Sequence, residues 1–209
     1  MIKNSIFSPS LLTHFFNIEQ IIKETGGYIE GNLICANTVE NKTVDRNKQK
    51  ILNLQKIVYG KNYICEIGVN AGHSLLIMLD INPQATYYLF DIGIHTYTSR
   101  CVDYIKKQYP DANINIIYGD SKITLPAFIA NENKKFNVIH VDGGHDDDCV
   151  KSDYLYSLKL VADSGYIIFD DYNLKNIKRF INSKLNNEII EIKDDFYTKT
   201  DYHIIYKKL

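Results

Sequence analysis

The chain has 209 residues, 45% hydrophobic and 23% charged, which suits one domain with a sizeable core and excludes a disordered or low-complexity chain. Its 24 basic and 25 acidic residues leave a formal net charge of -1, without the basic excess of a general nucleic-acid binder. No apolar run reaches the membrane-spanning length of about 18 residues, so neither nucleic acid nor membrane is an expected partner and a cytoplasmic location is expected.

Residues 10–23 place Leu11, Leu12, Phe15, Phe16, Ile18, Ile21 and Ile22 at helical spacing, and Gly26-Gly27 would end that helix. Residues 28–43 read as loop, and residues 45–59 as a second helix with Ile51, Leu52, Leu54, Ile57 and Val58 on one side, stopped by Gly60. Residues 1–60 are therefore expected to form a helical extension, either covering a cofactor or acceptor pocket or simply packing on a sheet edge. From residue 61 apolar runs of strand length occur at 63–67, 86–90, 114–118, 136–141 and 166–169, separated by helix-like segments near 73–80, 97–108, 122–132, 149–161 and 174–185. That alternation predicts an α/β fold whose parallel sheet is covered on both faces. Residues 188–192 and 202–206 add a predicted antiparallel hairpin at the sheet edge, so residues 61–209 form the expected ligand-binding domain. Cys35, Cys65, Cys101 and Cys149 are scattered without a C-x-x-C pair, which argues against a zinc or redox site, and Cys65 reads as a buried thiol.

The first strand runs into EIGVNAGHS, an acid followed by Gly68 and Gly72 and then a helix start. Glycines let the backbone approach a ligand, and the first turn of a helix presents unpaired N–H groups. The spacing E-x-G-x-x-x-G is neither the dinucleotide G-x-G-x-x-G nor a P-loop. Glu66 would repel a pyrophosphate but suits a ligand bearing an ammonium and a sulfonium. The turn resembles the first motif of class I S-adenosylmethionine-dependent methyltransferases. That resemblance implies a Rossmann-like, mostly parallel seven-stranded sheet ending in the antiparallel hairpin. Asn70 and Ser74, inside the turn and helix start, join the expected cofactor contacts.

Ligands in open α/β sheets bind outside the carboxyl ends of the strands. The second strand ends at Asp91, placed to meet a ribose hydroxyl pair, and the third ends in Gly119-Asp120-Ser121. Asp120 is expected at the adenine amino group, with Ser121 capping the next helix. The fourth and fifth strands end in VDGGHDDD and FDDYN. Asp142, Asp170 and Asp171 would bring three carboxylates to one edge, a conflict that Mg2+, Ca2+ or Mn2+ would resolve; the alternative is that they cap helices or open turns. His145 stands where a general base is wanted for an alcohol nucleophile. Asp146, Asp147 and Asp148 are read as caps of the helix that follows.

EIGVNAGHS, GDS, HVDGGH and IIFDDYN together resemble the group containing macrocin-type sugar O-methyltransferases and cephalosporin-hydroxylase-like proteins, over about residues 61–175. The resemblance implies that Asp142, Asp170 and Asp171 are metal ligands, Asp142 also borders the cofactor, and His145 is the base. Catechol-type O-methyltransferases are similar but carry Lys and Asn where this chain has His145 and Asp171. The expectation is a metal-dependent O-methyltransferase acting on a sugar or glycoconjugate hydroxyl, with Tyr-rich segments at 96–98 and 172–173 shaping the acceptor pocket. The alternatives are a catechol- or phenol-directed enzyme and a non-catalytic cofactor-binding or scaffolding protein. Oligomeric state stays open, a homo-oligomer included.

Overall fold

The computed structural model describes residues 6–28, 43–184, 189–192 and 200–209. Cys35, nearly all of the predicted 28–43 loop and most of the stretch linking the last two strands lie outside the described residues. Two helices, α1 (Pro9–Glu24) and α2 (Thr43–Val58), precede β1 (Tyr63–Ile67). Then α3 (His73–Ile81), β2 (Thr86–Asp91), α4 (Thr98–Gln108), β3 (Asn113–Tyr118), α5 (Ser121–Asn131), β4 (Phe136–Val141), α6 (Asp147–Leu160), β5 (Val161–Phe169) and α7 (Lys175–Ser183) alternate, before β6 (Ile189–Glu191) and β7 (Ile204–Lys208). The strands form one seven-stranded sheet in the order β3-β2-β1-β4-β5-β7-β6, with β7 antiparallel to both β5 and β6. β1 to β5 are parallel, so the predicted architecture is the observed one.

Alternation along each strand feeds two cores. Ile64, Tyr87, Val138, Ile168 and Ile205 pack under α1 to α4, whereas Cys65, Phe90, Ile139, Ile167 and Tyr206 pack under α5 to α7. Both faces are dry, which is why the strands read as nearly continuous apolar runs. The fifth strand begins earlier than the apolar pattern suggests. The chain leaves α6 directly into β5, whose pairing with β4 shifts register between Phe136 and Val138, and Ser164 adopts φ 60 there. The polar Ala162-Asp163-Ser164-Gly165 segment masks that irregular half of the strand in the sequence.

The N-terminal helices are built into the domain. Ser8 caps α1 by accepting from the Leu11 N–H at 3.1 Å, and its hydroxyl donates to Asp80 Oδ1 of α3 at 2.9 Å. Leu11, Phe15, Ile18 and Ile22 form the buried stripe, while His14 and Asn17 meet the Tyr104 hydroxyl of α4 at 2.8 and 2.7 Å. Asn82 ties the end of α2 to the sheet by donating to the carbonyls of Val58 and Lys61 at 2.8 and 2.7 Å. Among the described residues no helix is long and apolar enough to cross a membrane.

His73 lies at the seam between α1 and α3, stacked on Phe15 at 5.6 Å, and burial pushes its pKa down to about 4. Its folded-state value lies below the unfolded ~6.5, so the unfolded chain binds the extra proton as pH falls between the two. The stabilisation is complete above the unfolded value and is lost on acidification toward the folded one. Denaturant titrations at pH 7 and pH 5 are expected to show His73→Leu losing about 2 kcal/mol less stability than the parent protein over that interval.

Candidate active site

β1 delivers the chain into a turn that only glycine can make. Gly68 has φ +86, and a Cβ there would lie 2.0 Å from the carbonyl oxygen of Asp142 at the end of β4. Asn70 follows with φ 52, and Gly72 opens α3 as its N-cap with φ 83 and no side-chain cap bond. The first N–H groups of α3 are thereby left toward the carboxyl edge of the sheet. Asp91 holds the turn from below. Its Oδ2 accepts from the N–H groups of Val69 and Asn70 at 2.9 and 2.8 Å, and its Oδ1 from Gly93 at 2.7 Å. Tyr97, itself buried, donates its hydroxyl to Asn70 Oδ1 at 2.8 Å.

Glu66 is fully buried beneath this turn. Its Oε1 accepts from the Ser74 hydroxyl and meets His140 Nδ1 at 3.0 Å, while Oε2 has no hydrogen-bond partner among the described residues. His140 continues the line toward β5, with Nε2 3.7 Å from Asp170 Oδ2. Burial alone would lower this imidazole, but the neighbouring Asp170 and Glu66 carboxylates outweigh it and push the pKa up to about 10. Two carboxylates on either side of a buried imidazole favour its protonated form.

The acidic edge lies immediately beside the turn. Asp170 is buried, accepts the Asp171 N–H at 2.9 Å and forms an ion pair with Lys50, which reaches in from α2. Burial would raise the Asp170 carboxyl, but Lys50 and then His140 hold it well below the usual range. For Lys50 the burial effect is likewise outweighed, chiefly by Asp170 and then Asp142, and the ammonium is raised. Asp142 lacks so direct a partner. Burial first and the Asp170 charge second push its pKa up to about 7. His145, exposed on the loop after β4, meets Asp171 Oδ2 through Nε2 at 2.7 Å, and that hydrogen bond raises its pKa. Asp171 is held at φ 53, a conformation that aims its carboxylate at the loop at some backbone cost. His140, Asp142 and Asp170 offer ligand atoms within 4.8 Å of one another, and so do Asp142, His145 and Asp171. Asp142, His145, Asp170 and Asp171 line one small cavity together with Gly143, Gly144, Asp153 and Ile177, and His140 lies outside its lining.

A family model described as a methyltransferase domain matches residues 65–172, just over half the chain and the span that carries every one of these strand ends. The chain belongs to this methyltransferase family. No curated protein sequence matches it. Among solved structures, the fold is similar to an O-methyltransferase from Bacillus cereus in complex with S-adenosylhomocysteine, at TM-score 0.67 and 13% identity over 98% of this chain and 93% of that one. It is similar also to the O-methyltransferase TomG from Streptomyces achromogenes, in complex with S-adenosylmethionine, at TM-score 0.65 and 13% identity over 97% and 91%. The N-methyltransferase NodS from Bradyrhizobium japonicum gives TM-score 0.57 and 12% identity over 91% and 97%. The fold is thus that of class I S-adenosylmethionine-dependent methyltransferases, and the fold alone does not choose the acceptor atom.

Within this methyltransferase the predicted site residues fall at one sheet edge, with three differences of role. Asp120, not Ser121, caps α5, accepting the Lys122 N–H at 2.9 Å, and Ser121 is the first helical residue. Asp91 and Glu66 work partly inside the protein, as supports of the turn. Tyr97 packs against the glycine turn, and the Tyr172 hydroxyl bonds Asn182 at 2.6 Å, so both tyrosines serve the frame of the fold. The cap reading of Asp146 holds, since it accepts from the Cys149 N–H at 3.0 Å. Asp170 and Asp171 are not caps, because α7 has Leu174 at its N-cap without a side-chain bond. Lys50 and His140 were missed. A histidine inside a strand and a lysine on a helix carry no local signal; only their i-to-j partners reveal them.

Gly68→Ala is expected to cost on the order of 2–4 kcal/mol and to abolish S-adenosylhomocysteine binding, because its methyl group would drive the β1 and β4 loops apart. Thermal unfolding together with calorimetric titration of the ligand checks both effects.

Proposed function

We propose that the protein is an S-adenosylmethionine- and divalent-cation-dependent O-methyltransferase acting on a hydroxyl of a sugar or glycoconjugate. One observation carries this reading: the glycine turn and the acidic edge are in direct backbone contact through Gly68 and Asp142. A cofactor in the turn would therefore present its methyl group next to Asp142, His145, Asp170 and Asp171.

The cofactor fits the residues present. Glu66 Oε2 is a buried acceptor without a partner, suited to the ammonium of an amino-acid tail, and the open N-terminus of α3 suits its carboxylate. Asp91 Oδ1, which accepts a single N–H, keeps a lone pair for the ribose, and Asp120 stays at the adenine end. Asn70, Gly72, Ser74 and Ser121 line or support the same path. A divalent cation also fits: the donors are mainly carboxylate oxygens, and Asp142 lies beside Asp170, whose charge adds to burial in pushing the Asp142 carboxyl up to about 7. Asp142, Asp170 and Asp171 would hold it. Such a cation supplies charge that lowers the pKa of a neighbouring hydroxyl and fixes its position.

His145 is the base. With Nε2–H donated to Asp171, its remaining lone pair is on Nδ1, free to take the acceptor's proton. Asp171 orients the ring and stabilises the imidazolium that results. The sugar-type acceptor rests on the sequence pattern: a histidine three residues after Asp142 and paired acids after β5, where catechol-type enzymes carry Lys and Asn.

Three outcomes are expected. Calorimetry shows binding of S-adenosylmethionine but not NAD. In an acceptor screen with labelled cofactor and Mg2+, nucleotide sugars are methylated in preference to catechols, and EDTA abolishes turnover. His145→Ala binds cofactor normally but loses about 10²- to 10⁴-fold in turnover; full turnover in that variant would remove the base assignment.

A further inference from the structure

The N-terminal extension contributes a charge to the acidic edge, and that charge stands where a metal ion would compete with it. Lys50 is anchored on a fixed helix. Ile51, Leu54, Ile57 and Val58 are buried, and one turn from Lys50 the buried Asn53 meets His203 through Nδ2 at 2.9 Å, beside the start of β7. From this support the Lys50 side chain, 13% exposed, enters the site and pairs with Asp170, whose side chain is completely covered. A lysine stem packed this way has given up its rotamer freedom and most of its water, so the contact is part of the folded structure and not a surface ion pair.

We infer that Lys50 is a built-in competitor of the divalent cation at Asp170: its ammonium balances this carboxylate in the cation-free protein and gives it up when the cation binds. The inference rests on the metal reading above and deepens it. Two positive groups within reach of one fully covered carboxylate oxygen repel each other strongly. The chain therefore trades cation affinity for a carboxylate that the protein balances by itself. His140, on the other side of Asp170 at 3.7 Å, already supplies one positive neighbour, so the carboxylate does not need Lys50 and a divalent cation together. Lys50 acts here as a positioning residue. By setting how Asp170 is shared, it couples α2 to the state of the catalytic edge.

The test uses the metal alone and does not depend on knowing the acceptor. Mn2+ binding is measured by calorimetry and electron paramagnetic resonance on the intact protein and on Lys50→Met and Lys50→Arg, with S-adenosylhomocysteine binding as the check of fold. Lys50→Met, which keeps the apolar stem, is expected to bind Mn2+ at least about tenfold more tightly, and Lys50→Arg to behave like the parent. In the unaltered protein, acetylation of Lys50 by acetic anhydride, followed by mass spectrometry, should rise severalfold on saturation with Mg2+. Acetylation of Lys56, exposed on the same helix, should not change. Equal or weaker Mn2+ binding by Lys50→Met overturns the inference and leaves the metal reading standing. No Mn2+ binding by either protein overturns both. Should Lys50→Met fail to fold, the labelling decides, and Lys50 acetylation indifferent to Mg2+ overturns the inference.

Discussion

A buried line of alternating charge runs from the N-terminal extension to the start of α3: Lys50, Asp170, His140, Glu66, and then the Ser74 hydroxyl. Parallel register creates it. β1 and β4 pair so that Glu66 lies directly opposite His140, and β4 and β5 end in register at Val141 and Phe169, which sets Asp170 just beyond the strand ends where its N–H donates to the Val141 carbonyl at 2.9 Å. Each member is tolerable only because its neighbours carry the opposite sign. Removing one partner from such a buried pair typically costs about 3–5 kcal/mol, since the survivor is left charged and dry. The line is therefore a constraint on the whole domain: neither the cofactor turn nor the acidic edge can be redesigned alone.

The same line explains why the ligand edge is rigid where it must be and adjustable where it can be. At the glycine turn the backbone itself is held, by Asp91 accepting from Val69 and Asn70 and by the close approach of Gly68 to Asp142, so the turn has one geometry. At the acidic edge the contacts are between side chains, and two overlapping sets of ligand atoms share Asp142. A cation or substrate oxygen can be accommodated there by exchanging partners, without moving strands. Rigid donor placement and exchangeable acceptor contacts are what a transfer reaction needs, because alignment of donor and nucleophile contributes more than either contact alone.

Most of the fold was legible because periodicity reports burial, and burial on both faces of a parallel sheet leaves an unmistakable run of Tyr63-Ile64-Cys65, Tyr87 to Phe90 and Val138 to Val141. The cofactor edge was legible for a related reason: strand-end acids and glycines are local features with fixed places in this topology. What sequence could not supply was pairing. His140 looks like any polar residue inside a strand, and Lys50 like any lysine on an amphipathic helix, yet both are charged groups in the interior. Their roles exist only after the sheet places Glu66 and Asp170 within reach. The cap of α5 falls on Asp120 and not on Ser121 for a smaller reason, since a helix start read from sequence is uncertain by a residue and the cap falls on whichever side chain reaches the next N–H.

Charge also decides how such an edge can serve methyl transfer on the proposed reading. A sulfonium donor and an oxyanion acceptor become a neutral thioether and ether, so charge is lost along the reaction and a site that sheds water favours it. A purely acidic edge would welcome the sulfonium but oppose deprotonation of the acceptor beside it. Cations at the same edge offset that opposition. Lys50 and His140 set positive groups against Asp170 and Glu66 from the protein side, while Asp142, Asp171 and His145 lie beside them at the same edge. On that reading α2, which carries Lys50 to Asp170, belongs to the reacting edge as much as the strands do.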